Sequence, residues 1–364
     1  MEDLCSWLTL LNVPGVGPSR FRALVKRFGT PGEALSASLS DLVSVPRVDR
    51  KTAEAIRTYR DNGWLDRQRR AIEDDGVHVT SFLDPDYPER LTRIYDPAPV
   101  LFVKGALEPP DRYAMAVVGT RSPSTYGRLV TEKITAGLVE HGITVVSGMA
   151  RGIDSVAHRE SITRGGRTIA VLGCGVDVVY PPEHSKLCKS IAQHGAVLSE
   201  FPMGTKPDAS NFPRRNRLIS GLSLGVVVVE AGRRSGALLT AAYALDQNRE
   251  VFAVPGNVGA AKSQGTNRLI KRHAAKLVED AEDVLEELQG ILGKQPELPL
   301  TVPAPEKLSP NERAVLDVLV GEPKHIDRIS AETNLDPSTA LSTLLMLELA
   351  GPVRQLSGKM FVRV

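Results

Sequence analysis

The sequence predicts an α/β protein: a doubly wound parallel sheet, with a small helical domain before it and a winged helix after it. Short, continuously apolar runs alternate with helical stretches between residues 77 and 280, as expected for strands that helices cover on both faces. Nearly every run ends in glycine or a small polar residue. Because the carboxyl ends of parallel strands form the ligand sites of such sheets, these turns predict where the protein binds its ligand.

Length and composition indicate a soluble protein of two or three domains. The chain has 364 residues, of which 42% are hydrophobic and 24% are charged. Its net charge of +2 hides arginine clusters at 214–217 and 233–234 and an acidic run at 279–287. Three cysteines without a CxxC pair indicate a reducing compartment rather than a disulfide framework or a zinc site. With no signal-peptide pattern and no apolar run near about 20 residues, we expect a cytoplasmic protein without a membrane span.

The segment 1–75 predicts a domain of short helices. Leu11–Phe21 has the shape of a helix-hairpin-helix turn, with Gly15 and Gly17 at its bend. A second, degenerate copy is predicted at Val43–Asp49, where other residues replace both glycines. The free N–H groups of such a turn could hold a DNA phosphate. With only one intact turn, however, the favoured interpretation is a compact packing module.

The segment 76–290 carries the predicted sheet, with helices such as Leu129–His141 between its strands. The predicted strands are Met115–Val118, Thr144–Ser147, Thr168–Leu172, Ala196–Ser199, Val226–Val229, Val251–Val254 and Lys276–Val278. This order of strands and helices gives a sheet that is covered on both faces.

A proline-rich linker at 291–308 leads into a predicted winged helix at 309–364. Its predicted elements are Asn311–Val320, Ile326–Thr333, a turn at Asn334–Asp336, Pro337–Leu349 and a wing at Val353–Val364 with a turn at Ser357–Gly358. The would-be recognition helix contains no lysine or arginine. Since a helix that reads the major groove uses such residues, this domain is interpreted as a protein-contact or regulatory module. Arg354, Lys359 and Arg363 in the wing leave weak DNA binding open.

The strand-end turns and one basic run predict a site for a polyanion. Arg214, Arg215 and Arg217 stand beside Phe212 and lead directly into a core strand, which is unusual for a solvated basic surface. Arginines neutralise phosphates, an aromatic ring can stack on a base, and glycine turns followed by helices present N–H groups. A nucleic-acid surface is therefore favoured over a metabolite pocket.

Other kinds of site fit the sequence less well. Gly173-Cys174-Gly175 lacks the third glycine and the downstream acid of a dinucleotide site, and no GxxxxGK[ST] sequence is present. His158 is predicted to be a helix residue that bonds to the backbone rather than a general base. Asp154 and Asp177 are predicted to cap helices or to tie loops through backbone N–H groups, rather than to hold a ribose or an ammonium group. Glu200 and Glu230 could act as an acid and a base in glycosidic cleavage, or could equally pair with the arginines.

Together these motifs resemble the DNA-processing protein DprA (Smf) family. The ordered matches include Gly119–Arg121, Ser147–Asp154, Gly173–Asp177, Phe212–Ser223 and Gly265–Ile270. The resemblance implies an extended Rossmann-like domain that binds incoming single-stranded DNA during natural transformation, forms a homodimer and loads the RecA recombinase. It implies no catalytic activity, cofactor or metal, and the edge near Leu269 and Ile270 is the predicted dimer surface. Thr120 stands where serine is common in the family, and Arg151 where lysine is frequent.

The predicted DNA-binding site combines the strand-end turns with the basic run. Its residues are Gly119, Thr120, Arg121, Ser147, Gly148, Arg151, Gly173, Gly175, Phe212, Arg214, Arg215, Asn216, Arg217, Ser235 and Gly236. The alternative function is hydrolysis of nucleoside monophosphates on a related Rossmann-like fold. The sequence lacks the PGGxGT-type phosphate turn that such enzymes carry.

Overall fold

The computed structural model describes residues 4–292, 309–319, 324–350, 352–356 and 360–363. These fall into two compact units, residues 1–289 and 290–364, and each is treated by itself below. Among the described residues, no helix is both long and apolar enough to cross a membrane.

Six short helices open the first unit. They are α1 (Leu4–Asn12), α2 (Pro18–Phe28), α3 (Pro31–Ser36), α4 (Leu39–Val43), α5 (Arg50–Thr58) and α6 (Trp64–Asp74). The α1–α2 and α4–α5 turns have the same backbone shape: Gly15 has a φ of 88°, and Arg47 has a φ of 70° at the equivalent position. The predicted degenerate second copy of the turn is therefore confirmed, with an arginine in the left-handed conformation that glycine adopts in the first copy.

The sheet of the first unit has nine strands. They are β1 (His78–Ser81), β2 (Val100–Gly105), β3 (Ala114–Val118), β4 (Thr144–Ser147), β5 (Thr168–Val171), β6 (Gly195–Ser199), β7 (Gly225–Val228), β8 (Glu250–Ala253) and β9 (Lys276–Leu277). Their order is β1-β2-β6-β5-β4-β3-β7-β8-β9, and β3 to β9 are all parallel. All seven predicted strands are present, and their ends differ from the prediction by at most one residue.

The prediction missed β1 and β2, which extend the sheet beyond β6 as antiparallel strands. The first four residues of β2 are a buried apolar run, but prolines lie on either side of the strand and hide its signal. β1 is short and mostly polar, so its partner strand rather than its own sequence defines it. The sheet is thus mostly parallel, with an antiparallel edge.

Eight helices surround this sheet. They are α7 (Glu89–Thr92), α8 (Thr125–Glu140), α9 (Ile153–Thr163), α10 (Ser185–His194), α11 (Asn211–Leu222), α12 (Ala237–Asp246), α13 (Gln264–Lys271) and α14 (Ala281–Leu292). Leu218 of α11 and Ala241 of α12 pack in one core cluster, whereas Leu187 and Ile191 of α10 pack in another with Val197 of β6. Helices therefore cover both faces of the sheet, as a doubly wound fold requires.

The helical segment and the sheet share one core. Trp7 and Phe21 of the helices pack in the same apolar cluster as Phe102 of β2 and Met203 beyond β6. The buried Gln68 side chain of α6 adds two hydrogen bonds, donating to the Met203 carbonyl at 3.0 Å and accepting from its N–H at 2.9 Å. The helical turns are consequently held in a fixed position beside the carboxyl edge of the sheet.

The second unit is the predicted winged helix. It contains α15 (Pro310–Val318), β10 (Lys324–His325), α16 (Ile326–Thr333), α17 (Pro337–Ala350), β11 (Val353–Leu356) and β12 (Met360–Arg363). The three strands form an antiparallel sheet in the order β10-β12-β11, around a core that includes Ile329, Leu344 and Phe361. The predicted linker lies outside the described residues except at 291–292, which end α14, and the predicted wing turn at 357–358 also lies outside them.

Candidate nucleic-acid interface

The sequence-predicted turns meet at the point where the strand order reverses. From β3 the chain builds outward through β4, β5 and β6, then returns across β3 to form β7 and β8. A crevice opens beyond the carboxyl ends of two neighbouring strands at such a reversal. Here it is a cleft of about 550 Å³, which we call the sheet-edge cleft. Its lining includes Gly119, Thr120, Arg121, Ala150, Asp154, Phe212, Arg215, Asn216, Arg234, Ser235 and Gly236.

The turn after β3 presents Arg121 to solvent. The Thr120 N–H donates to the carbonyl of Glu230 at 2.7 Å, and the Thr120 carbonyl accepts from the Ile153 N–H at 3.2 Å. Gly119 has no room for a side chain, because a Cβ there would lie 2.6 Å from Cγ1 of Ile153. The turn is therefore fixed by its backbone, while the Arg121 side chain remains exposed with its Cζ 5.7 Å from the centre of the Phe212 ring.

The turn after β4 is stabilised by two buried side chains, those of Ser147 and Asp154. The Ser147 hydroxyl is buried and donates to the carbonyl of Val117 at 2.7 Å. The buried Asp154 carboxylate accepts from the N–H groups of Gly148 at 3.1 Å and Ala150 at 3.4 Å, which confirms its predicted loop-tying role. Burial raises the pKa of Asp154, and the nearby Arg215 guanidinium opposes that rise.

Arg151 and the turn after β5 line a smaller pocket next to the cleft, and Phe212 borders both. Arg151 is exposed and pairs with Glu183. Gly173 lies under the Phe212 ring, since a Cβ at Gly173 would lie 3.0 Å from the ring. The other face of this region holds Tyr180, whose ring centre is 5.6 Å from that of Phe212. Phe212 is thereby fixed in position and half-buried, with part of its ring at the cleft.

Gly175 does not reach the sheet-edge cleft. It is buried and its N–H donates to the carbonyl of Thr205 at 2.9 Å. Both oxygens of Asp177 accept from the N–H of Gly204, at 3.0 and 2.8 Å, which confirms the predicted loop-tying role of that carboxylate. The turn after β5 therefore supports the loop that follows β6.

The basic run at the start of α11 divides into two groups. Arg215 and Arg217, which we call the inner arginines, are only 5% and 4% exposed. Arg121, Arg214 and Arg234, which we call the rim arginines, are exposed. The sequence prediction treated 214, 215 and 217 alike, but only Arg214 of these three offers its charge at the surface.

The inner arginines bond to protein groups. Arg215 donates to the carbonyls of Gly148, at 2.7 Å, and Val171, so it joins the turns after β4 and β5. Burial lowers the pKa of Arg215, and Asp154 opposes that change. Arg217 pairs with Glu200, donates to the Asp96 carbonyl at 2.7 Å and lies 3.4 Å from the Asp96 carboxylate.

The burial of one inner arginine, Arg215, can be predicted from its spacing along the helix. Arg215 lies three and four residues before Leu218 and Ile219, which are buried against the sheet. Residues at this spacing share a helix face, so Arg215 belongs to the buried face of α11. The pairing of Arg217 with Glu200 has no such local signal, because the two residues lie on different elements and only the fold brings them together.

The turn before α12 closes the cleft on the β7 side. Ser235 stands one residue before Gly236, which is the N-cap of α12, and its hydroxyl accepts from the Ala237 N–H at 3.4 Å. The Asn216 side chain donates to the Gly236 carbonyl at 3.4 Å and so connects α11 to this turn. Arg234, which the predicted site did not include, also lines the cleft.

His158 and Glu230, the catalytic candidates in the sequence, both form hydrogen bonds within the protein. His158 is buried, and its Nδ1 lies 2.7 Å from the hydroxyl of Thr168, which itself donates to the Val145 carbonyl. Nδ1 is therefore the protonated nitrogen, and its partner is a side chain rather than the predicted backbone group. Burial lowers the pKa of His158 to about 3. The Glu230 carboxylate accepts from both the N–H and the hydroxyl of Ser124, at 2.9 and 2.5 Å.

The geometry favours binding of an extended anion. Exposed guanidinium groups lie around the half-buried Phe212 ring, and cations beside an aromatic ring are the combination that holds a nucleic-acid strand. Within the described part of the chain, no group of three or more His, Cys, Asp or Glu side chains could hold a metal ion.

Three family models match successive parts of the chain. Residues 78–289 match the model described as DNA recombination-mediator protein A. Residues 299–359 match a DprA winged helix domain, and residues 8–58 match a SAM-like helix-hairpin-helix tandem. The chain is also 36% identical to Protein Smf of Synechocystis sp. over 98% of each sequence.

Solved structures agree with these matches. The DNA processing protein A of Streptococcus pneumoniae superposes with a TM-score of 0.69 and 35% identity, covering 78% of this chain and 98% of that one. The protein of the same name from Helicobacter pylori superposes with a TM-score of 0.53 and 28% identity, covering 58% of this chain and 96% of that one. The structure of the Helicobacter protein is described as giving insight into a single-stranded DNA binding mode.

Proposed function

Because the chain belongs to the DNA recombination-mediator protein A family, also named DprA or Smf, we propose that it binds single-stranded DNA in the sheet-edge cleft. The observation that carries this proposal is the pairing of exposed Arg121 with the half-buried Phe212 ring, at 5.7 Å. A guanidinium and an aromatic ring at this distance can hold a phosphate and stack on the base attached to it. Stacking on a side chain requires an unpaired base, so the site favours single strands over duplex DNA.

The proposed roles separate contact residues from positioning residues. The contact residues of the sheet-edge cleft are Gly119, Thr120, Arg121, Phe212, Asn216, Arg234, Ser235 and Gly236, with Arg151 beside them at the surface. The exposed Arg214 would also meet the strand, but it lies outside this cleft. Ser147, Gly148, Gly173, Gly175 and the inner arginines act through them, because their polar groups or their space are used within the protein. The proposed contact residues are therefore fewer than the site residues predicted from the sequence, and Arg234 is added to them.

The wider role follows from the family. The protein would act in the cytoplasm during natural transformation, protect incoming single strands and load the RecA recombinase onto them, without chemistry on the DNA. The faster appearance of RecA filaments on single strands in its presence is the measurement that supports loading, and equal rates with and without the protein would contradict it. Free base released from nucleoside monophosphates would contradict the absence of chemistry.

The proposed homodimer would form through the Rossmann-like domain. Ile270 of α13 is half-buried and comes shortly before the edge strand β9 in the sequence, where Leu277 is 43% exposed. Edge strands and neighbouring apolar side chains are common sites of association. Sedimentation velocity should give a dimer that Ile270→Glu converts to a monomer, and a monomeric parent protein would contradict the proposal.

The binding proposal is tested with a fluorescent oligothymidylate. Phe212→Ala should lose about 1–3 kcal/mol of binding free energy, the range for one stacked base. The matched control is Tyr95→Ala, because Tyr95 is 75% exposed and also lies under an arginine, with Cζ of Arg47 at 5.6 Å, but is not part of the sheet-edge cleft. Equal losses in the two variants, or tighter binding of a duplex of the same length, would argue against the proposal.

A further inference from the structure

A second cleft lies on the other side of the start of α11. It has a volume of about 670 Å³ and opens between the α1–α2 turn and the loop after β6, and we call it the outer cleft. The two clefts share α11: Phe212 and Asn216 line the sheet-edge cleft, whereas Asn211 and Arg214 line the outer one. A strand held in the first cleft therefore needs only to cross one helix to enter the second.

The α1–α2 turn brings the uncapped start of α2 to the outer cleft. Gly15 and Gly17 line the cleft, and Gly17 begins α2 without any side-chain cap. The first residue of α2, Pro18, has no N–H, so the N–H groups of Ser19 and Arg20 are the first that the helix offers to an anion. The first N–H groups of a helix have no partners within that helix and attract anions.

The second copy of the turn provides an internal comparison. Asp49 occupies the position of Gly17, and its carboxylate accepts from the Thr52 N–H at 2.7 Å. The start of α5 is therefore capped by the Asp49 carboxylate. The start of α2 has no side-chain cap and lies at the outer cleft.

A buried carboxylate oxygen without a partner also points to a ligand. Glu200 lines the outer cleft and is 4% exposed. Both arginines that approach it, Arg217 and Arg214, contact Oε2, the latter at 3.8 Å. Among the residues that the structure describes, Oε1 has no hydrogen-bond partner. An N–H donor from a bound molecule would supply the bond that this oxygen lacks.

The other walls of the cleft suit the remaining parts of a nucleotide. Trp64 is half-buried and lines the cleft, so its indole ring offers a stacking surface. The exposed Arg214 side chain lies over Phe201, with its Cζ 5.0 Å from the ring centre, and can reach an anion in the cleft. An anion-binding turn, a cation, an aromatic ring and a carboxylate acceptor therefore surround one space.

We propose that the outer cleft binds a further nucleotide of the same DNA strand. Its phosphate lies at the α1–α2 turn and Arg214, and its base lies beside Trp64 and donates an N–H to Oε1 of Glu200. Each of the four DNA bases carries an N–H donor, so this subsite accepts any sequence. The proposal rests on the proposed function and gives the intact helix-hairpin-helix turn a binding role in place of the packing role that the sequence favours.

The test uses the substitution Gly17→Asp, which gives α2 the aspartate cap that Asp49 gives α5. Gly17 has φ −88° and ψ 175°, a conformation that any residue adopts, and a Cβ there meets no atom within 4 Å. The aspartate should cap α2 as Asp49 caps α5, so the variant should fold with an unchanged or higher melting temperature. The matched control is Ser40→Asp, which adds the same charge at the exposed start of α4, outside the cleft.

Binding is measured against fluorescent oligothymidylates from about 4 to about 20 nucleotides, a span that includes the usual site sizes for single strands. For the longest oligonucleotide, Gly17→Asp should bind about tenfold more weakly, the loss expected for one charged hydrogen bond. Its slope of log affinity against log salt should be smaller by about one phosphate contact. For the shortest oligonucleotide, Gly17→Asp should bind as tightly as the parent protein. Arg214→Gln should show the same dependence on oligonucleotide length.

Three results distinguish failure of the subsite from failure of the proposed function. Parent-like binding of the longest oligonucleotide by Gly17→Asp, while Phe212→Ala is weakened at every length, would overturn the subsite alone. An equal loss in Ser40→Asp would overturn it too, because general repulsion would then explain the effect. No binding of any oligonucleotide by the parent protein would overturn both proposals.

Discussion

The rim arginine Arg214 and the inner arginines Arg215 and Arg217 have the same chemistry and lie within one turn of α11, yet their surroundings give them opposite tasks. Arg214 has a side chain that is 51% exposed, whereas that of Arg217, one helical turn further along α11, is 4% exposed and pairs with Glu200. An exposed guanidinium can exchange water for a phosphate at little cost, whereas a buried one already uses its donors to satisfy carbonyls and carboxylates. A basic run therefore indicates an anion site without telling which of its charges the anion meets.

The largest expected effect is on stability, and it separates the two groups directly. Arg217→Ala should lower the free energy of unfolding by about 3–5 kcal/mol, because it leaves the buried Glu200 carboxylate without its hydrogen-bonded partner. Arg214→Ala should change it by less than about 0.5 kcal/mol, as expected for a surface side chain. Urea denaturation followed by circular dichroism measures both values. If Arg217→Ala were as stable as the parent and lost only DNA binding, the distinction between rim and inner arginines would be wrong.

A second effect concerns acid stability, because His158 of α9 is neutral and buried. Its folded pKa of about 3 lies below the unfolded value of 6.5, so between these pH values only the unfolded chain binds the proton. The free energy of unfolding should therefore fall by about 1.4 kcal/mol per pH unit as the pH drops from 6.5 towards 3 because of this residue.

The measurement compares the parent with His158→Gln across that pH window. The variant should be less stable at neutral pH, because it disturbs the hydrogen bond to Thr168, but its stability should decline less steeply as the pH falls. Two curves with the same slope would mean that His158 is not the buried neutral group described here.

Much of this architecture can be predicted from sequence, because buried strands of a parallel sheet carry their own signal. The run Val226–Val229 is continuously apolar and ends in an acid and a small residue, and β7 lies there within one residue. The antiparallel strands escape prediction for different reasons: β1 is defined by its pairing with β2, and the apolar run of β2 is hidden by the prolines on either side of the strand.

The site is predicted less completely, for reasons that differ among residues. The turn containing Arg121 is identified because glycine and a cation follow a buried strand. The burial of Arg215 follows from its spacing to Leu218, whereas the pairing of Arg217 with Glu200 depends on contacts between elements. The outer cleft depends on the position of the helical turns against the loop after β6, which Gln68 and Met203 fix across 135 residues of sequence.

The central claim is that the rim arginines meet DNA phosphates while the inner arginines hold the loops, and the salt dependence of binding tests it most directly. Arg121→Ala should weaken binding of an oligothymidylate and reduce the slope of log affinity against log salt by about one, with an unchanged melting temperature. Arg164→Ala is the matched control, because Arg164 is half-exposed at the far end of α9 and pairs with Glu160. A slope for Arg121→Ala equal to those of the parent and the control would contradict the account.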